Sequence, residues 1–171
     1  MKKLLLVTGL CIGAFVIAPV ASASAAPLTG SCTITGSATF TNKNLTSTPQ
    51  TGIEYAFSGN ATCVEAGTNN PQSGTATVHG KFGGECAKAE SEGAGEGSLL
   101  GHTFNTFNFK AAAGSVLFEI GGGAPGGITG DAGFYLSGSP LTPGEVAAQC
   151  AASPSGVHEL GFAAVAVGTL Q

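Results

Sequence analysis

Short runs in which small polar and apolar residues alternate recur along most of the chain. The first two runs cover Cys32 to Thr41 and Ile53 to Val64, and a polar stretch at 42–51 separates them. Alternation with a period of two residues predicts β-strands, because successive side chains of a strand point to opposite faces. Runs of the same kind follow at 75–82, 99–100, 104–111, 115–120, 131–138 and 157–170. The pattern therefore predicts eight or nine short strands.

A single segment carries the signals of a helix. Thr142-Pro143-Gly144-Glu145 supplies an N-cap, a first-turn proline and a capping acid, and the residues from Val146 to Ala152 follow before Pro154. Many short strands with scarcely any helix are typical of an all-β protein. We therefore expect an antiparallel β-sandwich, Ig-like or Greek-key, with one short helix.

Two connections are predicted from their glycine content. Residues 88–98 place Glu90, Glu92 and Glu96 among Gly and Ala, a composition typical of a mobile acidic loop. Residues 121–130 form a glycine-rich connection, and Gly121 to Gly126 within it match the G-x-G-x-x-G pattern. That pattern binds dinucleotides when a helix follows it, whereas a strand is predicted here, so no such cofactor is expected.

The N-terminus predicts secretion. Met1-Lys2-Lys3 precedes an apolar run from Leu4 to Val20, and Ala23-Ser24-Ala25 supplies the small residues of a cleavage site. We expect a bacterial type of signal peptide at 1–25 and a single secreted domain at 26–171. An uncleaved membrane anchor is the alternative, which the two Gly and one Pro inside the run disfavour.

Four cysteines remain once the predicted signal peptide is removed: Cys32, Cys63, Cys86 and Cys150. An even number in an oxidising compartment predicts two disulfides. If the first two strands pair antiparallel about the polar stretch, Cys32 lies opposite Cys63, so this pairing is favoured. Cys86 then pairs with Cys150 by elimination.

Composition and charge exclude one class of function. Only 9% of the residues are charged, the six basic residues are all lysine, and the formal net charge is −4. Without arginine the chain lacks the planar fork that grips phosphates and guanine, and it lacks the positive field that drives nucleic-acid binding. We therefore expect no nucleic-acid partner.

The metal-ligating residue types are scattered. His79, His102 and His158 are the candidate zinc ligands, but none of them lies in an H-x-H pair and no Cys-x-x-Cys occurs. The acidic stretch also lacks the alternating aspartates of a calcium loop. We predict no metal site.

Candidate catalytic groups are few. Glu54, Glu85 and Glu119 lie in strand-like context, and a glycosidase needs two carboxylates about 5–10 Å apart. Sugar sites also use aromatic platforms, whereas the chain has no Trp and two Tyr. Asp131, the one aspartate, is not accompanied by a G-x-S-x-G motif. We therefore predict no catalytic residues and a protein that is not an enzyme.

The Gly-, Ala- and Thr-rich composition resembles that of small secreted sandwich domains such as the enediyne chromoprotein apoproteins. These are Ig-like carriers of a small apolar ligand. The resemblance covers composition alone, because those proteins close small disulfide loops and the cysteines here are widely spaced. It implies no site residue for this chain.

Three functions are open on these grounds. The leading expectation is a secreted, non-catalytic protein that binds, or forms part of, an extracellular or envelope surface. The first alternative is a carrier of a small apolar ligand, based on Phe104, Phe107, Phe109 and Phe118. Parity places Phe107 and Phe109 on one strand face and Phe104 on the other. An extracellular hydrolase is the least favoured alternative.

Overall fold

The chain is built almost entirely of strands. The computed structural model describes residues 28–86, 90–112, 115–121, 127–136, 139–140 and 143–170. The elements within them are β1 Leu28–Phe40, β2 Gln50–Glu65, β3 Pro71–Glu85, β4 Glu90–Leu99, β5 His102–Ala112, β6 Ser115–Ile120, β7 Ile128–Leu136, β8 Ser139–Pro140, α1 Pro143–Ala152 and β9 Glu159–Leu170. The predicted all-β class is confirmed, and the predicted signal peptide lies outside the described residues.

The strands form one closed sheet. Each strand from β1 to β6 pairs antiparallel with the next along the chain. β7 pairs with β6 on one side and with β9 on the other, and β9 pairs with β1. Within the described residues, eight strands therefore close into an antiparallel barrel, and β8 forms a short hairpin with β7. The predicted sandwich is wrong.

Pairing between strands that are far apart in the sequence is the physical reason why the chain forms a barrel and not the predicted sandwich. Alternating side chains give a strand one inward face in a sandwich and in a barrel alike. The barrel is closed by β9, which pairs with β1 from Leu28↔Leu170 to Thr39↔Glu159 and with β7 along its other edge. Closure pairs the edges that an open sheet leaves exposed. No local pattern in the sequence signals such a pairing.

Both disulfides join elements that the fold brings together. Cys32 and Cys63 lie opposite each other on β1 and β2 and are bonded. Cys86 follows β3 directly and is bonded to Cys150 of α1. These are the two pairings that the sequence favours. The helix also matches its prediction from Pro143 to Ala152, while its predicted N-cap, Thr142, lies outside the described residues.

One end of the barrel is covered, and we call it the capped end. The connection between β1 and β2 crosses it and inserts Leu45, which is buried. Leu45 and Val157 exchange two backbone hydrogen bonds of 2.9 and 2.8 Å, and the Cys86 amide donates to the Thr46 carbonyl at 3.0 Å. Together with the Cys86–Cys150 disulfide, these bonds hold the connection over the barrel end.

On the inner face of the barrel, aromatic rings lie over glycines of the same strand or of the neighbouring strand. The Phe57 ring lies against Gly36 and Gly59, where an added Cβ would approach the ring to 2.9 Å. A Cβ at Gly130 would similarly lie 2.6 Å from the Phe118 ring. An eight-stranded barrel has an interior just wide enough for side chains. The inward glycines therefore provide the space that the rings occupy.

β4 replaces the acidic loop predicted at 88–98, and this prediction is wrong over Glu90–Leu99. The strand alternates as its neighbours do, with Glu90, Glu92 and Glu96 exposed and the glycines between them less exposed. Its inward positions 93, 95 and 97 are all glycine, so the apolar half of the strand pattern is missing. The strand forms because β3 and β5 pair with it on both sides.

Replacing Gly59 with alanine is expected to lower the free energy of unfolding by about 1–3 kcal/mol, because the new methyl group would clash with the Thr35 carbonyl oxygen on β1 and would lie 2.9 Å from the Phe57 ring. Gly74→Ala is the matched control, since its Cβ would meet Leu100 at 3.4 Å, an ordinary contact. We expect the control to change stability by less than about 0.5 kcal/mol. Urea denaturation measures both free energies, and equal effects would show that Gly59 is not closely packed against Thr35 and the Phe57 ring.

Candidate functional site: an apolar cavity

The interior of the barrel contains a cavity of about 120 Å³. Side chains from β1 to β6 and from β9 line it, and Leu45 and Cys86 contribute from the capped end. The aliphatic part of the lining includes Ile34, Val78 and Leu160. All three are buried, so the cavity lies within the main hydrophobic core.

The four phenylalanines singled out from the sequence all line this cavity: Phe104, Phe107, Phe109 and Phe118. The Phe107 ring contacts those of Phe109 and Phe118 at centroid distances of 5.9 Å. The predicted opposite placement of Phe104 is wrong. The register between β4 and β5 shifts between Gly95 and Gly97, which brings Phe104 and Phe107 to the same face although three positions separate them.

Five further aromatic residues of the lining were not identified from the sequence: Phe40, Tyr55, Phe57, Phe82 and Phe162. They lie on β1, β2, β3 and β9, so they are far apart along the chain. The available signal was strand parity, because four of the five share a strand face with an apolar residue two positions away. The neighbours of Phe82 at that spacing are Gly80 and Gly84. Parity identifies an inward face, but only closure of the barrel brings these faces together.

Tyr55 carries a hydroxyl into the aromatic lining. Its ring packs edge-on against Phe82 and Phe109, with centroid distances of 5.9 and 5.8 Å. The side chain is 7% exposed, and its hydroxyl donates to the Ala94 carbonyl at 3.5 Å. Burial raises the pKa of Tyr55 well above its ordinary value. The group therefore remains a neutral hydrogen-bond donor across the physiological range.

Glu85, at the end of β3, is the candidate catalytic carboxylate that reaches the cavity. It is 7% exposed and lines the cavity next to Cys86. The other two candidates lie on the outer surface: Glu54 forms an ion pair with Lys81 at 2.9 Å, and Glu119 is exposed. The fold thus does not bring the three carboxylates together.

The candidate metal ligands are also separated. His79 is on the outer face and contacts Glu96 at 3.1 Å, and His158 contacts the Asn44 side chain at 3.2 Å. His102 begins β5. In the part of the chain that the structure describes, no group of three or more His, Cys, Asp or Glu is placed to hold a metal ion. The side chain of Asp131 lies outside that part.

Raising the pH is expected to destabilise the protein through Tyr55. A free tyrosine ionises near pH 10, whereas burial keeps the Tyr55 phenol protonated to higher pH. The folded state then binds one proton more than the unfolded state, so the free energy of unfolding falls by about 1.4 kcal/mol per pH unit above about pH 10. Tyr55→Phe lacks this dependence. Denaturation profiles of both proteins between about pH 9 and 11 test this, and parallel profiles would refute it.

Comparison of the chain with protein-family models, with curated proteins and with solved structures finds no match in any of the three. Over the described residues, no helix combines the length and hydropathy required of a transmembrane span. The function is therefore inferred from the chemistry of the cavity.

Proposed function

We propose that this protein binds a small apolar molecule inside its barrel and acts as a non-catalytic carrier or binding protein. The observation that supports this most directly is a cavity of about 120 Å³ with an almost wholly apolar lining that includes nine aromatic rings. An apolar molecule that enters it leaves water and gains contacts with the rings.

The cavity volume limits the size of the ligand. An engineered cavity of about 150 Å³ lined by Leu, Ile and Phe in another protein stays dry and binds benzene. Pockets for drug-sized ligands measure roughly 300–1,000 Å³. A cavity of about 120 Å³ therefore suits a molecule of about the size of a single aromatic ring.

The lining supports binding rather than catalysis. Among the described residues that line the cavity, the ionisable side chains are Tyr55 and Glu85, because Cys86 is held in a disulfide. Tyr55 keeps its proton, and no histidine, lysine or serine-histidine pair completes a nucleophilic or acid-base site there. An extracellular hydrolase stays the least favoured function.

The site of action that we propose is outside the cytoplasm. The basic and apolar N-terminal segment has the pattern of a secretory signal peptide. Two disulfides agree with this, because such bonds persist in oxidising compartments. A barrel with an apolar interior would shield such a ligand from water.

Toluene is a suitable probe for the first test. We expect binding with a Kd on the order of 0.1–1 mM, which corresponds to about −4 to −5.5 kcal/mol. At three times Kd the ligand stabilises the fold by about 0.8 kcal/mol, so the melting temperature should rise by about 1.5–3 °C. Ethylene glycol at the same concentration is the polar control. A melting temperature that toluene leaves unchanged up to its solubility limit would refute the proposed function.

A further inference from the structure

The Tyr55 hydroxyl lies where two glycines make room for it. Tyr55 pairs with Gly80 on β3, and Gly80 pairs with Gly95 on β4. Because neither glycine has a side chain, the tyrosine extends across β3 and reaches β4. A Cβ at Gly95 would lie 2.7 Å from the Tyr55 hydroxyl oxygen. The hydroxyl is therefore held at the cavity wall.

The hydrogen bond that this hydroxyl makes within the protein is long. The distance from the Tyr55 oxygen to the Ala94 carbonyl oxygen is 3.5 Å, whereas O–H···O bonds are normally about 2.5–3.0 Å. A buried tyrosine hydroxyl usually has a good partner. The single O–H of Tyr55 can therefore exchange this long bond for a shorter one to an oxygen atom inside the cavity.

The charge of the ligand is limited by the rest of the lining. No lysine or histidine is among the described residues that surround the cavity, and Glu85 lies at its capped end. An anionic ligand would be desolvated there without a cationic partner, which is costly. A neutral oxygen avoids this penalty.

We infer that the ligand is a neutral, single-ring molecule with one hydrogen-bond-accepting oxygen, which receives the O–H of Tyr55. This inference rests on the proposed function and identifies the ligand class of the same cavity. Tyr55 selects the ligand, and the surrounding rings supply the apolar contacts.

Phenol and toluene form a matched pair of probes, because they have nearly the same shape and differ in the oxygen. Titration of each probe into the wild-type protein and into Tyr55→Phe gives four dissociation constants. We expect the substitution to weaken phenol binding about threefold to tenfold, the range of a net hydrogen bond, and to change toluene binding by less than about twofold. Dividing the effect of Tyr55→Phe on phenol binding by its effect on toluene binding isolates the contact between the Tyr55 hydroxyl and the ligand oxygen.

The outcomes separate this inference from the proposed function. If toluene binds and both probes respond equally to Tyr55→Phe, the inference is overturned and the proposed function stands. If toluene does not bind the folded wild type, the proposed function fails. If Tyr55→Phe folds poorly, NMR spectra of the wild type alone test the inference. The Tyr55 hydroxyl proton should shift downfield in NMR spectra with phenol and not with toluene, and the same shift with both probes would overturn the inference.

Discussion

The double variant Cys86→Ala/Cys150→Ala is expected to be about 4 kcal/mol less stable than the wild type. This disulfide closes a loop with a sequence separation of 64 residues, and loop entropy in the unfolded chain rises with loop length. Both cysteines are buried, at 2% exposure each, so the variant also loses contacts at the capped end. Urea denaturation of oxidised wild type and variant measures the difference.

The second disulfide provides the comparison. Cys32 and Cys63 are separated by 31 residues and cross-link two strands that are already paired. Their double alanine variant should therefore lose less, about 3.5 kcal/mol in the same loop-entropy treatment. A loss below about 1 kcal/mol for Cys86→Ala/Cys150→Ala would mean that the disulfide does not hold the capped end in place.

Substituting Ala164 with leucine is expected to abolish toluene binding. Ala164 lines the cavity from β9, and an isobutyl group in place of its methyl group would occupy the space that we assign to the ligand. Filling a cavity usually stabilises a fold by roughly 0.5–2 kcal/mol. The variant should thus melt higher than the wild type and no longer respond to toluene.

Ala163→Leu is the matched control for this variant. Ala163 is the adjacent residue, pairs with the exposed Thr35 on β1 and lies on the opposite face of the strand. Calorimetric titration with toluene should detect binding to this control as to the wild type. Equal binding by the two leucine variants would place toluene outside the barrel.

Local features of the fold are predictable from the sequence. The antiparallel register that places Cys32 opposite Cys63 follows from the length of the polar stretch between two alternating runs, and the structure has this register. The helix at Pro143–Ala152 follows from its capping residues and its terminating proline. Both depend on residues close together in the chain or on one short connection.

Non-local features are not predictable in the same way. Closure of the barrel depends on β9 pairing with β1 and β7, and no local pattern in the sequence predicts these pairings. β4 lacks a strand pattern because glycines occupy its inward positions 93, 95 and 97, and the aromatic side chains beside Gly93 and Gly95 come from other strands. Likewise the register shift between β4 and β5 at Gly95 and Gly97 moves Phe104 to the face opposite the predicted one. No residue in the sequence predicts this shift.

The most direct test of the central claim is to locate bound toluene by NMR. Nuclear Overhauser effects between the ligand and protein methyl groups report contacts within a few ångströms. A ligand inside the barrel should show these effects with the inward methyl groups of Ile34, Val78 and Leu160. Effects confined to the outward-facing Leu117, Val165 and Val167, which are 63%, 55% and 54% exposed, would contradict the account.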